Sequence, residues 1–180
     1  DDTDALRLIL DRIKTREDAG YSYDTAQASF ELLAREALGQ LPDFFEVKRY
    51  RVTVERRKNK YDQMVSLSEA VVVVKVGGEK KLSVSESMDA EGTDRGPVNA
   101  LAKALTKDLG AYQDLIEDIR LVDFKVRITQ GGTEAVTRVI IDSEDDKGRR
   151  WSTVGVSANI VDASFEALVD AIRWKLVQDT

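Results

Sequence analysis

The 180-residue sequence contains no cysteine. Disulfides and thiolate-held metals are therefore excluded, and a reducing, cytoplasmic compartment is expected. It contains no histidine either. That removes Ser–His and Cys–His nucleophile pairs, imidazole bases and His-ligated metals. Any chemistry would have to run on carboxylates, lysines, tyrosines and hydroxyls. Proline occurs only at positions 42 and 97, so each one carries local information. No apolar run approaches the length that crosses a bilayer, and the first residues are acidic rather than signal-like.

What is present is ordinary for a globular chain: 42% hydrophobic and 33% charged residues. The length suits one domain, or one domain with a small appendage. A net charge of -6 argues against nucleic acid or an acidic membrane as partner. The one basic run, Arg56-Arg57-Lys58-Asn59-Lys60, reads as a solvated loop between strands.

Residues 1–40 read as two helices. Leu6, Ile9, Leu10 and Ile13 recur at helical spacing, and Gly20 supplies a stop. Asp24 with Gln27 has the spacing of a capping box. Ala26, Phe30, Leu33 and Ala37 then form an apolar stripe that ends at Gly39. Leu41-Pro42-Asp43 is a linker, because proline biases the residue before it away from helix.

Beyond Pro42 the period becomes alternating. Phe45–Glu55, Ser66–Val76 and Lys80–Ser87 are strands, with Gly77-Gly78 as a hairpin turn and Leu82 and Val84 facing inward. The stretch Gly92-Thr93-Asp94-Arg95-Gly96-Pro97 then runs into a helix. Val98, Leu101, Ala102, Leu105 and Leu109 share its apolar side. The order repeats. Val122, Phe124, Val126 and Ile128 alternate in a strand, Gly131-Gly132 turns, and Glu134–Asp142 and Arg149–Val156 follow around a polar loop, Ser143–Gly148. A helix from Ile160 to Val177 closes the repeat, with Asn159 as its N-cap. The fold class is α+β: two β-β-β-α repeats behind a small helical accessory segment. The segment covers 1–42 and the main domain 43–180, with repeats at 43–110 and 111–180. Each helix would cover only part of its sheet's apolar face, so packing of two units or two subunits would complete the burial.

The two helix starts are the candidate site. Pro97 suits the first turn, where its missing N–H costs nothing. First-turn N–H groups and the helix dipole favour an anion, so two such starts facing one cavity would take a carboxylate. Val98, Leu121, Phe124 and Val156 would supply an apolar wall, or equally belong to the core. Taken alone, Gly96-Pro97 can also be a plain helix cap. Glu144-Asp145-Asp146 lacks the alternating oxygen ligands of a calcium loop and reads as a solvated turn. Trp151 and Trp174 read as core or interface. Tyr21 and Tyr23 would cap a hydrophobic junction or reach toward a neighbouring domain.

Several stretches together carry a family resemblance. They are Gly20-Tyr21-Ser22-Tyr23 with Ala28-Ser29-Phe30-Glu31-Leu32-Leu33, Gly96-Pro97-Val98-Asn99-Ala100-Leu101, Leu121-Val122-Asp123-Phe124-Lys125-Val126-Arg127, and Trp151-Ser152-Thr153-Val154-Gly155-Val156-Ser157 with Asn159-Ile160. The chain resembles the C-terminal regulatory, LeuA-dimer-type allosteric domain of the 2-isopropylmalate synthase and homocitrate synthase family, of the citramalate type. The resemblance implies a homodimer that binds a branched-chain amino acid at its interface and inhibits a separate N-terminal catalytic barrel. Isoleucine is implied for the citramalate branch and leucine for the isopropylmalate branch. The effector residues it implies are Asp94, Arg95, Gly96, Pro97, Val98, Leu121, Phe124, Val156 and Ala158. Asp94-Arg95 departs from the family's glycine-flanked loop, and a bulky Arg95 would narrow the pocket or turn outward. The barrel's metal-binding histidines are not in this sequence. The divalent metal and acetyl-CoA are therefore expected for that barrel, and this fragment is expected to hold no cofactor and to be inactive alone. The rival expectation is a ligand-free dimerisation module.

Overall fold

The computed structural model describes residues 1–89, 96–131 and 134–180. The α+β class and the two three-strand-plus-helix repeats are as the sequence implies. The chain forms two compact units: residues 43–117, and residues 1–42 together with 118–180. No helix among the described residues is long and apolar enough to cross a membrane.

In the 43–117 unit, strands β1 (Glu46–Lys58), β2 (Met64–Val76) and β3 (Glu79–Asp89) make an antiparallel sheet in sequence order. Gly77 and Gly78 take φ of 58° and 86° in the turn between β2 and β3. L side chains resist that conformation, so this turn requires glycine. The basic run is not wholly a loop. Arg56–Lys58 extend β1, paired with Met64–Ser66, because an exposed strand end tolerates long charged side chains on both faces.

Helix α3 (Gly96–Leu105) lies on one face of that sheet. Asn99 Nδ2 donates to Ser87 Oγ at 3.3 Å, and Ser68 Oγ would lie 3.7 Å from a Cβ on Gly96. Ser87 pairs with Ser68 in register, so the helix sits over the face of Ser68, Ala70, Val72 and Val74. Val98, Ala100, Leu101, Ala104 and Leu105 are buried there. Ala102 is not, and Leu109 is buried beyond the helix. Leu82 and Val84 do not face inward under α3; they are 60% and 38% exposed. Alternation defines two faces of β3, and the helix chose the one lined by small serines, which permits closer approach. A 3-10 turn (Gly110–Tyr112) and the short helix α4 (Gln113–Ile116) complete the unit, with Tyr112 edge-on to Phe44.

In the second unit, β4 (Arg120–Gly131), β5 (Glu134–Glu144) and β6 (Arg150–Ser157) form the other antiparallel sheet. The Gly131-Gly132 turn lies partly outside the described residues. Helix α5 (Ile160–Asp179) crosses the face that carries Val139, Ile141, Trp151, Thr153 and Gly155. Thr153 Oγ1 donates to Ala167 O at 2.7 Å and Trp151 Nε1 to Ala171 O at 3.1 Å, which pin the helix along β6. Trp174 stacks on Trp151 with centroids 4.9 Å apart.

The helical segment packs on this same unit. Helix α1 (Asp2–Asp18) ends at Gly20, whose φ of 110° lets the Tyr21 N–H return to Arg16 O. None of its residues is buried, and Leu6 and Leu10 are exposed. Helix α2 (Gln27–Ala37) is not capped by Asp24. Its N-cap is Ala26, with no side-chain cap. Its buried face is Ala28, Ser29, Leu32 and Leu33, while Phe30 is 39% exposed. The stripe is rotated because α2 covers the open edge of β6, where Val154 N donates to Ser29 Oγ at 2.9 Å. A side-chain hydroxyl thus closes a sheet edge that would otherwise expose unpaired backbone.

Candidate functional site

Asp94 and Arg95 lie outside the described residues. Gly96 follows with φ of 50°, and Pro97 occupies the first turn of α3, which contains no acidic residue. Val98 is buried in its own unit. An N-terminal turn free of carboxylates keeps the helix dipole available to an anion.

The start of α5 is different. Asn159 Oδ1 accepts from Val161 N at 2.8 Å and from Asp162 N at 3.4 Å. The cap and the first-turn Asp162 carboxylate already occupy the charge-seeking end of this helix. It therefore offers a ligand carboxylate little, contrary to a symmetric pair of helix starts. Ala158 precedes the cap and is exposed.

The strand residues divide between faces. Phe124 pairs with Ile141, and Ile141 with Thr153, which places Phe124 on the α5 side. Leu121 reaches the same side through Ser143 and Trp151. A register shift between Leu121 and Asp123 accounts for two residues three apart sharing a face. Val156 pairs with Arg138 on the opposite face, where its methyl group would lie 3.4 Å from a Cβ on Gly20. Leu121 and Phe124 are thus brought together, and Val156 is turned away from them. Further along the α5 side of β4, Val126 and Ile128 are 41% and 79% exposed.

Sequence reasoning missed a polar cleft of about 360 Å³ under the helical segment. Its floor is α5, where Glu166 and Asp170 stand one turn apart. Tyr21 donates its hydroxyl to Glu166, and Arg16 lies 3.4 Å from the same oxygen and 4.7 Å above the Tyr21 ring. Tyr21 and Tyr23 stack with centroids 6.1 Å apart. Burial pushes the Tyr23 phenol up to about 12, and burial followed by the hydrogen bond to Glu166 raises Tyr21 further. Ser29 Oγ donates to Asp170 Oδ2 at 2.8 Å. Burial pushes the Asp170 carboxyl up to about 7, against that hydrogen bond and with added repulsion from Glu166. The tyrosines are thus part of a charged latch between the helical segment and α5. Two carboxylates at i and i+4, off the apolar stripe of a helix, were the available signal.

A second missed feature is buried. Lys175 is 1% exposed and lies on the apolar stripe of α5. Its Nζ is 2.8 Å from Asp145, 2.9 Å from Asp179 and 3.3 Å from Asp118. Arg149 adds contacts of 2.7 Å to Asp145 and 2.8 Å to Asp179. Glu144-Asp145-Asp146 is accordingly not a solvated turn: Asp145 is 1% exposed inside this network. Burial alone would raise the Asp145 carboxyl, but hydrogen bonds from Lys175 and Arg149 outweigh it and hold it well below the usual range. Lysine in an apolar stripe was the signal, since a buried ammonium demands carboxylates.

Residues 24–176 match the LeuA allosteric (dimerisation) domain. The chain belongs to that family. It is 45% identical to the (R)-citramalate synthase of Geobacter sulfurreducens over 98% of this chain and 32% of that protein. Identity to the (R)-citramalate synthase of Aquifex aeolicus is 39%, over 97% of this chain and 31% of that protein. A probable 2-isopropylmalate synthase of Archaeoglobus fulgidus is 35% identical over 45% of this chain and 15% of that protein. The chain therefore spans about a third of the length of these citramalate synthases. Its LeuA-type match begins at Asp24, so α1 precedes the matched stretch, while both sheets fall within it.

Proposed function

We propose that this chain is the regulatory part of an acyltransferase that condenses acetyl-CoA with pyruvate to citramalate. It forms a homodimer and binds isoleucine at the interface between copies, and binding inhibits the catalytic barrel of the same protein. The observation that carries the reading is the extent of similarity. Citramalate synthases match over 95–98% of this chain at up to 45% identity, whereas isopropylmalate synthases match over 45% and 85% of it at 35% and 32% identity. The exposed Val126 and Ile128 beside Phe124 support a second copy covering the open end of β4.

In this proposal the effector's carboxylate meets first-turn N–H groups of α3 behind Gly96 and Pro97. Its ammonium meets Asp94 or backbone carbonyls. Leu121 and Phe124 are the candidates for contact with its side chain, with Val98, Val156, Ala158 and Arg95 as further candidates from the family resemblance. Inhibition needs the two arrangements of the dimer to differ in affinity for the effector, and about 2 kcal/mol of coupling suffices for feedback. The test is CoA release from acetyl-CoA and pyruvate by the full-length protein. Isoleucine should inhibit more strongly than leucine, and a protein cut before α1 should lose the inhibition. Equal activity with and without either amino acid would overturn the proposal. A ligand-free dimerisation module is the second reading, favoured by the self-capped start of α5; the same lack of response would support it. A leucine sensor would show the reverse preference.

A further inference from the structure

The face of the β4–β6 sheet opposite α5 carries cations that no role above uses. Arg127 and Arg138 are direct register partners on neighbouring antiparallel strands, so their side chains leave from the same face. Like charges directly opposed weaken a strand pair. Lys125 stands two residues along that face. A sheet gains nothing from this arrangement unless something negative lies above it.

The segment after α1 builds walls above it. Arg138 Nε donates to Gly20 O at 2.7 Å. Gly20 lies so close to the sheet that a Cβ there would meet Val136 at 2.8 Å, so the chain can cross here only as glycine. Beyond it Ser22, Asp24 and Thr25, with Ser152 from β6, enclose a cavity of about 380 Å³ over the three cations.

The acidic neighbours do not neutralise it. Asp142 is held by Ser152 at 2.6 Å and Arg150 at 3.1 Å. Asp123 pairs with Lys125 at 3.4 Å in the open. Arg127 makes no hydrogen bond or ion pair with a described residue, and the terminal nitrogens of Arg138 make none either. Arg127, Arg138 and Lys125 therefore line the cavity with two carboxylates, Asp24 and Asp142, of which Asp142 is already engaged by Ser152 and Arg150.

We propose that this cavity binds a small oxyanion, a carboxylate or a phosphate, between Arg127 and Arg138. Planar guanidiniums match the paired oxygens of either group, and the Ser22 and Thr25 hydroxyls add donors. The bound charge relieves the repulsion between the two strands, so the site stabilises its own sheet when filled. The proposal does not rest on the effector reading: Val156 shares this face of the sheet, but no described effector candidate lines the cavity.

The test is isothermal titration of the full-length protein with sodium phosphate and, separately, sodium propanoate, against sodium chloride at matched ionic strength. The proteins are wild type, Arg127→Gln and Arg127→Lys. Wild type should bind one of the two anions saturably. Phosphate alone identifies a phosphorylated ligand, and propanoate alone a carboxylate. Arg127→Gln should weaken that binding at least tenfold, with Arg127→Lys in between. In chloride, Arg127→Gln should melt no lower than wild type, because a repulsion has been removed. Absence of saturable binding beyond chloride, or undiminished binding by Arg127→Gln, would overturn the proposal. A lower melting temperature of that variant in chloride would count against the repulsion on which it rests.

Discussion

Gly155 marks the closest approach of β6 to α5, and replacing it by alanine is a severe perturbation. A Cβ there would lie 1.9 Å from Ala163 O, 2.9 Å from Ala163 C and 3.0 Å from Ala167 N. All three are backbone atoms, so no side chain can swing aside. Gly155 is not among the residues with positive φ, so what it supplies is space. Relief requires α5 to lift by roughly 1 Å or more to reach ordinary contact. The helix cannot lift only at that point, because Thr153 and Trp151 on the same strand bond to its carbonyls at 2.7 Å and 3.1 Å. Overpacking of this kind costs about 1–3 kcal/mol, and each buried hydrogen bond stretched in response adds about 1 kcal/mol. Gly155→Ala should therefore destabilise the protein by about 3–5 kcal/mol, a large share of the 5–15 kcal/mol typical of a domain. Urea denaturation followed by far-ultraviolet circular dichroism measures it. Gly148→Ala is the control, since Gly148 has φ of 77° in open space and should lose only about 1 kcal/mol to backbone strain. A loss below about 0.5 kcal/mol for Gly155→Ala would refute the close-packing argument.

Other expectations follow from the buried charges and the sheet edge. Lys175→Met should cost about 3–5 kcal/mol, because it leaves Asp118, Asp145 and Asp179 facing one another without their shared cation; denaturant midpoints will check it. The Asp145 and Asp179 carboxyls are held below their ordinary values, so the stability they contribute is present above about pH 4 and is lost as the pH falls further. Asp170 has the opposite sign. With its carboxyl pushed up to about 7, wild-type stability should fall as the pH rises from about 4 to 7, by up to roughly 4 kcal/mol, then level off. Burial shifts Glu166 in the same direction, so Asp170→Asn should reduce that fall without abolishing it; an equal fall in wild type and variant contradicts the assignment. Ser29→Ala should cost about 1–3 kcal/mol, since it removes the bond to Asp170 and leaves the Val154 N–H without its acceptor.

The elements were legible because their periods differ. Alternation located all six strands, Pro42 marked the change of regime, and Asn159 caps the helix it was expected to cap. Facing was harder. Leu82 and Val84 alternate as core residues do, yet α3 packs on the serines between them, and a strand pattern cannot say which face a helix will choose. Asp24 has capping-box spacing, but the helix begins later, after the segment that crosses the sheet. The acidic run around Asp145 looked solvated because its counter-charge, Lys175, lies thirty residues away on another element. Both helix starts were legible as elements, at Gly96 and after Asn159. The Asn159 cap that identified α5 also occupies the donors a ligand would have used.

The proposed role of this LeuA-type domain is to sense a branched-chain amino acid. Calorimetric titration of the full-length protein with isoleucine and with leucine, on material shown to be dimeric by sedimentation, tests it most directly. Isoleucine should give saturable heat, and leucine should bind at least tenfold more weakly, the discrimination that one misplaced methyl group in an apolar pocket supplies. No heat from either amino acid at millimolar concentration, with the dimer intact, would contradict it.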